Sequence, residues 1–423
     1  MVTSGAEIPT MIVKPFRGLR PRADLAAAIP SLPYDVLDST EARALAQGDP
    51  NTFLHVVKAE IDLEPAVDVH DDRVYARACE NFRGMIADGR LVRDARPAYY
   101  LYRQWMGSHV QTGIVGAAAI DDYLEGRIKR HEHTRPDKED DRTRHADAIG
   151  AHAGPVFLAY RARQEMDALV DEASGRAPNV AFIAKDGVSH ALWIVDEPGA
   201  IARFEAALRE IPASYIADGH HRAASYARVA RMRRERAGRF TGGEPFNYFL
   251  AVHFPVDQLR ILDYNRLVRD LNGLDPRGLL VRLAAAEFDV IEPWPAKSPP
   301  RRGAFGMYVD GVWRLLVARP RGAWTDDPVA ILDVSVLHAR ILGPILGVGD
   351  PRTDERVAFV GGVRGVDELE RRVDTREHAV AFTMFPTALE DVMRVADTGT
   401  VMPPKSTWFE PKLRSGLLVH TLD

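Results

Sequence analysis

Apolar positions along this chain come in short runs, each cut by Gly, Pro, Asp or Ser before it could extend into a long helix or a membrane span. Such a pattern predicts short strands alternating with helices. Ile12–Phe16 reads as a first strand closed by proline, and 39–47 as a helix with Ser39 as its cap. The apolar run 53–57 reads as a strand, and a longer helix spans about 71–89. Tyr99–Gln104 and Gln111–Ala117 alternate around the turn Met106-Gly107-Ser108, which predicts a hairpin. Further strands are expected at 156–160, 180–184 and 190–195, then a helix at 198–210. Tyr215-Ile216-Ala217 reads as a buried strand that meets Asp218-Gly219 and turns directly into a helix over 220–236. A strand follows at 247–254.

The stretch WPAKSPPRRG (294–303) breaks periodicity with proline and charge, and predicts a linker. Beyond it, strands at 307–309 and 313–317 flank the turn Asp310-Gly311, with helices near 333–343, 366–372 and 387–395. The reading is therefore a mixed α/β (α+β) protein with mixed sheets: a flexible tail over 1–10, a main domain over 11–295, and a C-terminal lobe over 301–423.

Composition narrows the class. The 423 residues are 46% hydrophobic and 27% charged, as in folded globular proteins. A net charge of −5 supplies no global field to hold a polyanion, so nucleic acid is not an expected partner. Cys79 is the only cysteine, which excludes an internal disulfide, a thiolate zinc cage and a dithiol redox pair. No signal peptide or membrane span is legible, so a cytoplasmic protein without a membrane partner is expected, with homo-oligomerisation left open.

The sharpest local signal is Asp218-Gly219-His220-His221-Arg222. A strand that stops at glycine and turns into a helix offers backbone N–H groups and a positive dipole end, where phosphate binds readily. Two imidazoles and a guanidinium can grip or protonate phosphoryl oxygens, and Asp218 could hold a metal or act as a base. The bland alternative makes Asp218 a helix cap, Gly219 a permissive turn residue and the histidines surface residues.

Residues 121–152 are the most charged stretch and are read as loop and helix beside a cleft. Lys129, Arg130, His131, Glu132, His133 and Arg135, followed by Lys138–Arg142 and His145, contain every group that acid–base work and anion binding need. A solvated face would account for about half of them. His131-Glu132-His133 does not match H-E-x-x-H zinc spacing. Met402–Lys412 sets Lys405 and Ser406 between prolines and aromatics, as a substrate wall or a packing segment. Arginines of 228–239 could form a nucleic-acid face, but Glu235 interrupts them.

KPFRGLRP (14–21), PYDV (33–36), FLHV (53–56), QTGIVG (111–116), KRHEHTR (129–135), DGHHR (218–222), YNRLVRDLNG (264–273), DPRTD (350–354) and MPPKSTWFEPKL (402–413) together resemble the domain-of-unknown-function 1015 family. DGHHR separately resembles the signature of the ParB/sulfiredoxin-like superfamily, which includes ADP- or ATP-dependent free-serine kinases.

That second resemblance implies that Gly219, His220, His221 and Arg222 hold nucleotide phosphates, with Asp218 beside the reacting group. Lys129 and Arg135 are added as phosphate ligands. Asp218, His220, His221 and Glu132 are candidate catalytic residues, His131, His133, Lys405 and Ser406 candidate substrate contacts, and Asp218 a candidate metal ligand. The expected activity is phosphoryl transfer from ATP or ADP with Mg²⁺ to a small hydroxy compound such as free serine. The alternatives are a phosphoserine-type hydrolase and a nucleotide-gated, ParB-like DNA-binding or scaffold protein. The enzymatic readings require the 218–222 turn and the 129–145 segment to share one cleft.

Overall fold

The computed structural model describes residues 10–319 and 326–423. The expected tail lies outside these residues apart from Thr10. The chain divides into two units: a first that runs to Leu259 and regains the chain at Pro411–Asp423, and a second over Arg260–Glu410.

The first unit is built on a nine-stranded mixed sheet. Its strands are β1 (Val13–Lys14), β2 (Tyr99–Met106), β3 (His109–Ala119), β4 (Ile128–Lys129), β5 (Val156–Tyr160), β6 (Val180–Ile183), β7 (Ser189–Val195), β8 (Ser214–Asp218) and β9 (Tyr248–Pro255). They lie in the order β4-β8-β5-β9-β3-β2-β7-β6, with β1 added on β3. The β8–β4 and β9–β5 pairings are parallel, and the rest are antiparallel. The predicted hairpin forms in register, Met106 opposite His109 and Tyr100 opposite Val115.

Five helices matter for the site: α1 (Asp72–Ala87), α2 (Pro136–Ile149), α3 (Gln164–Ser174), α4 (Pro198–Arg209) and α5 (His220–Ala237). One face of the sheet buries Tyr99, Leu101, Leu158, Trp193, Ile216 and Phe249 with Met166 of α3, Phe204 and Leu208 of α4, and Ala223, Tyr226 and Val229 of α5. Each large side chain removed from water here contributes roughly 1.5–3 kcal/mol. The sheet is therefore the platform that fixes where β8 ends and α5 begins.

Two local readings change. Residues 53–57 form a short helix, Leu54–Val57, packed with Phe82 and Met85 of α1. A brief apolar run carries no period of its own, and packing against a helix decided it. The helix Ser39–Ala46 is capped one residue earlier than expected: Asp38 accepts from the Glu41 N–H at 2.8 Å, while Glu41 accepts from the Asp38 N–H at 3.0 Å.

The second unit has an antiparallel six-stranded sheet of β10 (Tyr264–Val268), β11 (Phe288–Ile291), β12 (Ala304–Val309), β13 (Val312–Ala318), β14 (Val357–Gly361) and β15 (Val380–Thr383), in the order β11-β13-β12-β15-β10-β14. This corrects the expected boundary at 294–303. The Trp294 N–H donates to the Trp313 carbonyl at 2.9 Å, and the Lys297 carbonyl accepts from Thr383 Oγ1 at 2.7 Å. Proline interrupts periodicity in this stretch, yet its backbone is stitched into the sheet. The strands before it, β10 and β11, pair with strands after it, so the two sides cannot be separate domains.

After Glu410 the chain rejoins the first unit. There Gly416 sits at φ +76°, and a Cβ would come within 2.3 Å of the Phe53 ring, so only glycine fits. Among the described residues, no helix is long and apolar enough to cross a membrane.

Candidate functional site

The site lies in the first unit, where β8 ends. Asp218 is its last residue, Gly219 turns the chain at φ +94°, and α5 starts at His220. No side chain caps this helix, so the reading of Asp218 as a cap does not hold. Its first turn carries two histidines and an arginine in place of the acids usual at a helix start.

Arg222 turns back beneath the turn. A Cβ on Gly219 would stand 3.1 Å from Arg222 Nε, so the guanidinium occupies the space the glycine leaves. It is 4% exposed, and Nη1 donates to the Pro155 carbonyl. Nη2 lies 3.6 Å from both Asp218 Oδ1 and Asp35 Oδ2. Nε is buried without a hydrogen-bond partner. A buried guanidinium with a donor to spare suits an anion that completes its coordination.

Asp218 faces a second cation: Lys412 Nζ approaches its Oδ2 at 3.3 Å. Burial would raise the Asp218 pKa, but Lys412 and Arg222 outweigh that and hold it well below the usual carboxylate range.

The two histidines serve the other cluster. His220 Nε2 accepts from the His131 backbone N–H at 3.3 Å, and His221 Nε2 accepts from the Arg135 N–H at 3.1 Å. The 130–135 loop is thereby fastened to the start of α5, and the 218–222 turn shares its site with this part of the charged segment. Burial, the largest influence, brings the His220 pKa down to about 3. A neutral imidazole that accepts at Nε2 carries its proton on Nδ1, and Nδ1 faces Glu132 Oε2 at 3.7 Å. Glu132 is the carboxylate of this loop open to solvent, its side chain 31% exposed.

His131, expected as a substrate contact, is fully buried and packs edge-on against His220 with ring centroids 4.4 Å apart. Burial and the neighbouring His220 lower its pKa to about 3. It is a wall of the site and does not face solvent. His133 is exposed. Arg135 brings only its backbone N–H, since its guanidinium pairs with Asp137 at 2.8 Å on the surface. Lys129 sits on β4 with Nζ 5.8 Å from the Tyr215 ring centroid.

Beyond the loop, Asp141 accepts from Tyr75 and pairs with Arg142, and His145 Nε2 meets the Val56 carbonyl. These contacts pack α2. Lys405 and Ser406 belong to the second unit, where Ser406 Oγ donates to the Pro403 carbonyl at 2.6 Å and the Lys405 carbonyl accepts from Arg266 at 2.9 Å. Asp35 and Lys412 were missed as site residues, although both lie within quoted motifs, PYDV and MPPKSTWFEPKL.

The donors do not fit a resident metal. Both Asp218 oxygens face cations, and among the described residues no group of three or more His, Cys, Asp or Glu side chains is arranged to hold a metal ion. The arginine-rich face of α5 is also engaged by acids: Arg228 by Asp140, Arg233 and Arg236 by Asp147, Arg234 by Asp121. That pairing disfavours a phosphate-backbone surface.

The neutral histidines imply a pH dependence. Their folded pKa values lie below the ordinary 6.5, so between about pH 6.5 and 3 the unfolded chain binds protons that the folded one refuses. Stability is therefore full above pH 6.5 and falls as the pH drops. At pH 5 the loss is on the order of 1–2 kcal/mol per histidine, from ~1.36 kcal/mol per pH unit. Urea denaturation at pH 7.5 and pH 5.0 should show it, with a shallower fall in His220→Gln. Equal midpoints at both values would show that the pair is not held neutral.

The sequence matches the family described as Protein of unknown function (DUF1015) over residues 13–335. The chain belongs to the DUF1015 family. In this DUF1015 chain, Asp35, Glu132, Asp218 and Arg222 all fall within the matched span, and Lys412 lies beyond it. No curated protein matches the sequence. Solved structures similar to it include a free serine kinase in complex with AMP, at 13% identity and TM-score 0.33, covering 70% of this chain and 86% of that one. Others are SbnI with C-terminal truncation from Staphylococcus aureus (11% identity, TM-score 0.35, 71% and 85% covered) and a conserved hypothetical protein from Pyrococcus furiosus (14%, 0.32, 70% and 90%).

Proposed function

We propose that this protein is a nucleotide-dependent phosphotransferase that acts on a small hydroxy compound, with free serine the first acceptor to test and ATP or ADP the donor. The observation that carries the reading is the buried Arg222 guanidinium, held under the uncapped start of α5 with its Nε unpartnered and an open carboxylate, Glu132, on the adjoining loop. Phosphoryl transfer needs little covalent help from a protein. It needs charge stabilisation for phosphoryl oxygens and a group that takes the acceptor's proton.

The roles divide as follows in this reading. The first N–H groups of α5 and Arg222 hold donor phosphate. Glu132 takes the proton of the acceptor hydroxyl. The hydroxyl oxygen then bonds to the terminal phosphorus, the bridging P–O bond breaks, and the nucleotide leaves one phosphate shorter. His220, with Nδ1–H directed at Glu132, and His221, which fastens the loop, are positioning residues in place of the acid role expected for them.

Titration calorimetry with ATP, ADP and CTP, followed by transfer of labelled terminal phosphate to serine, tests the proposal. Binding of at least one nucleotide at micromolar to millimolar affinity is expected. Absence of binding to all three removes the reading.

A further inference from the structure

The C-terminal motif MPPKSTWFEPKL carries two lysines, and they part company in the fold. Lys405 stays in the second unit, while Lys412 returns with Pro411–Asp423 to the first. We propose that Lys412 is an anion-binding residue of the site, which contacts the terminal phosphoryl group of the donor while Asp218 brackets its ammonium. For the identity of the ligand this rests on the phosphotransferase reading.

The backbone of Lys412 is fastened in place. Its carbonyl accepts from Gln104 Nε2 at 3.0 Å, and Gln104 Oε1 accepts from Gln111 Nε2 at 2.9 Å; both glutamines are fully buried on adjacent strands of the sheet. Two residues on, Arg414 donates to His190 Nε2 at 3.2 Å and pairs with Asp186. Ser415 then exchanges backbone hydrogen bonds of 2.9 and 3.0 Å with Ser31. Buried polar groups of this kind are costly to leave unsatisfied, so the segment holds its register and sets where the lysine side chain begins. That side chain is 10% exposed and reaches Asp218 Oδ2 at 3.3 Å.

Charge explains why a lysine belongs there. A carboxylate beside the start of α5 would repel a phosphate if it stood alone. With Lys412 on one oxygen and Arg222 near the other, and with Asp35 sharing the arginine, two cations balance two carboxylates; without Lys412 the cluster would be net negative. An ammonium has three donors on a flexible stem, so it can keep Asp218 and still offer a hydrogen to a phosphoryl oxygen. Asp218 is then a positioning residue that holds the ammonium in place. Its two cations also keep it ionised, which suits a bracket better than a proton acceptor.

A cycle of Lys412→Met, Asp218→Asn and the double variant separates this from a plain ion pair. Binding of AMP, ADP and inorganic pyrophosphate is measured by calorimetry, and transfer to serine by steady-state kinetics. We expect Lys412→Met to weaken ADP and pyrophosphate about tenfold or more, to affect AMP less, and to lower turnover by about 10²-fold. The double variant should recover neither. If Lys412 only neutralises Asp218, the double variant binds and turns over like wild type, and the proposal is overturned. Should Lys412→Met fail to fold, the double variant, in which neither member of the pair leaves an uncompensated charge, is read alone against wild type by the same criterion. If nucleotides do not bind but pyrophosphate does, and Lys412→Met loses it, the phosphotransferase reading falls and the lysine assignment stands. If wild type binds none of these anions, both fall.

Discussion

Arg222→Ala is expected to remove measurable nucleotide binding and to destabilise the protein by about 3–5 kcal/mol, the range for deleting one partner of a buried charge cluster. Its guanidinium, 4% exposed, stands between Asp35 and Asp218 at 3.6 Å from each. Without it two carboxylates face each other, and Lys412 is left to compensate only one of them. The Pro155 carbonyl also loses its donor. Arg222→Lys keeps the charge but not the planar fork, and a lysine cannot reach the carbonyl, both carboxylates and a phosphate together. It should fold better than the alanine variant and still bind nucleotide at least tenfold more weakly than wild type. Calorimetry with ADP and urea denaturation of all three proteins measure both effects. Wild-type affinity in either variant would show that the anion is held elsewhere.

Glu132→Gln is expected to lower turnover by about 10²–10⁴-fold, the usual contribution of a general base, while the nucleotide Kd stays within about threefold of wild type. The substitution is nearly isosteric and leaves the histidine contacts that fasten the loop untouched, because those use the His131 and Arg135 backbone N–H groups. A loss of kcat with unchanged binding is what a group engaged only in proton transfer produces. A rise in KM with unchanged kcat would make Glu132 an acceptor-binding residue. Turnover equal to wild type would send the search for the base to Asp35, a partly open carboxylate beside Arg222.

The strand–turn–helix at 214–237 was legible because its determinants are local. Buried β-forming residues run into a glycine and then into a helix, and neighbours within a few positions decide that outcome. The hairpin of β2 and β3 was legible for the same reason. What HH in DGHHR does was not legible. The imidazoles accept N–H groups from residues 89 and 86 positions earlier in the chain, and no local pattern announces which backbone will arrive there.

The sequence alone therefore determined the mixed α/β class, the position of the turn at Gly219 and the chemical types gathered around it. Tertiary structure decided the rest. It buried His131, which charge-rich surroundings had made a substrate contact. It folded 294–303 into the second sheet and moved the division between units to Leu259 and Pro411. It also chose Lys412 over Lys405, across 194 positions from Asp218. Hydrophobic periodicity and turn chemistry act over a few residues and can be read in one dimension. Convergence of charges from distant segments is set by the packing that brings them together, and that information lies in the folded chain as a whole.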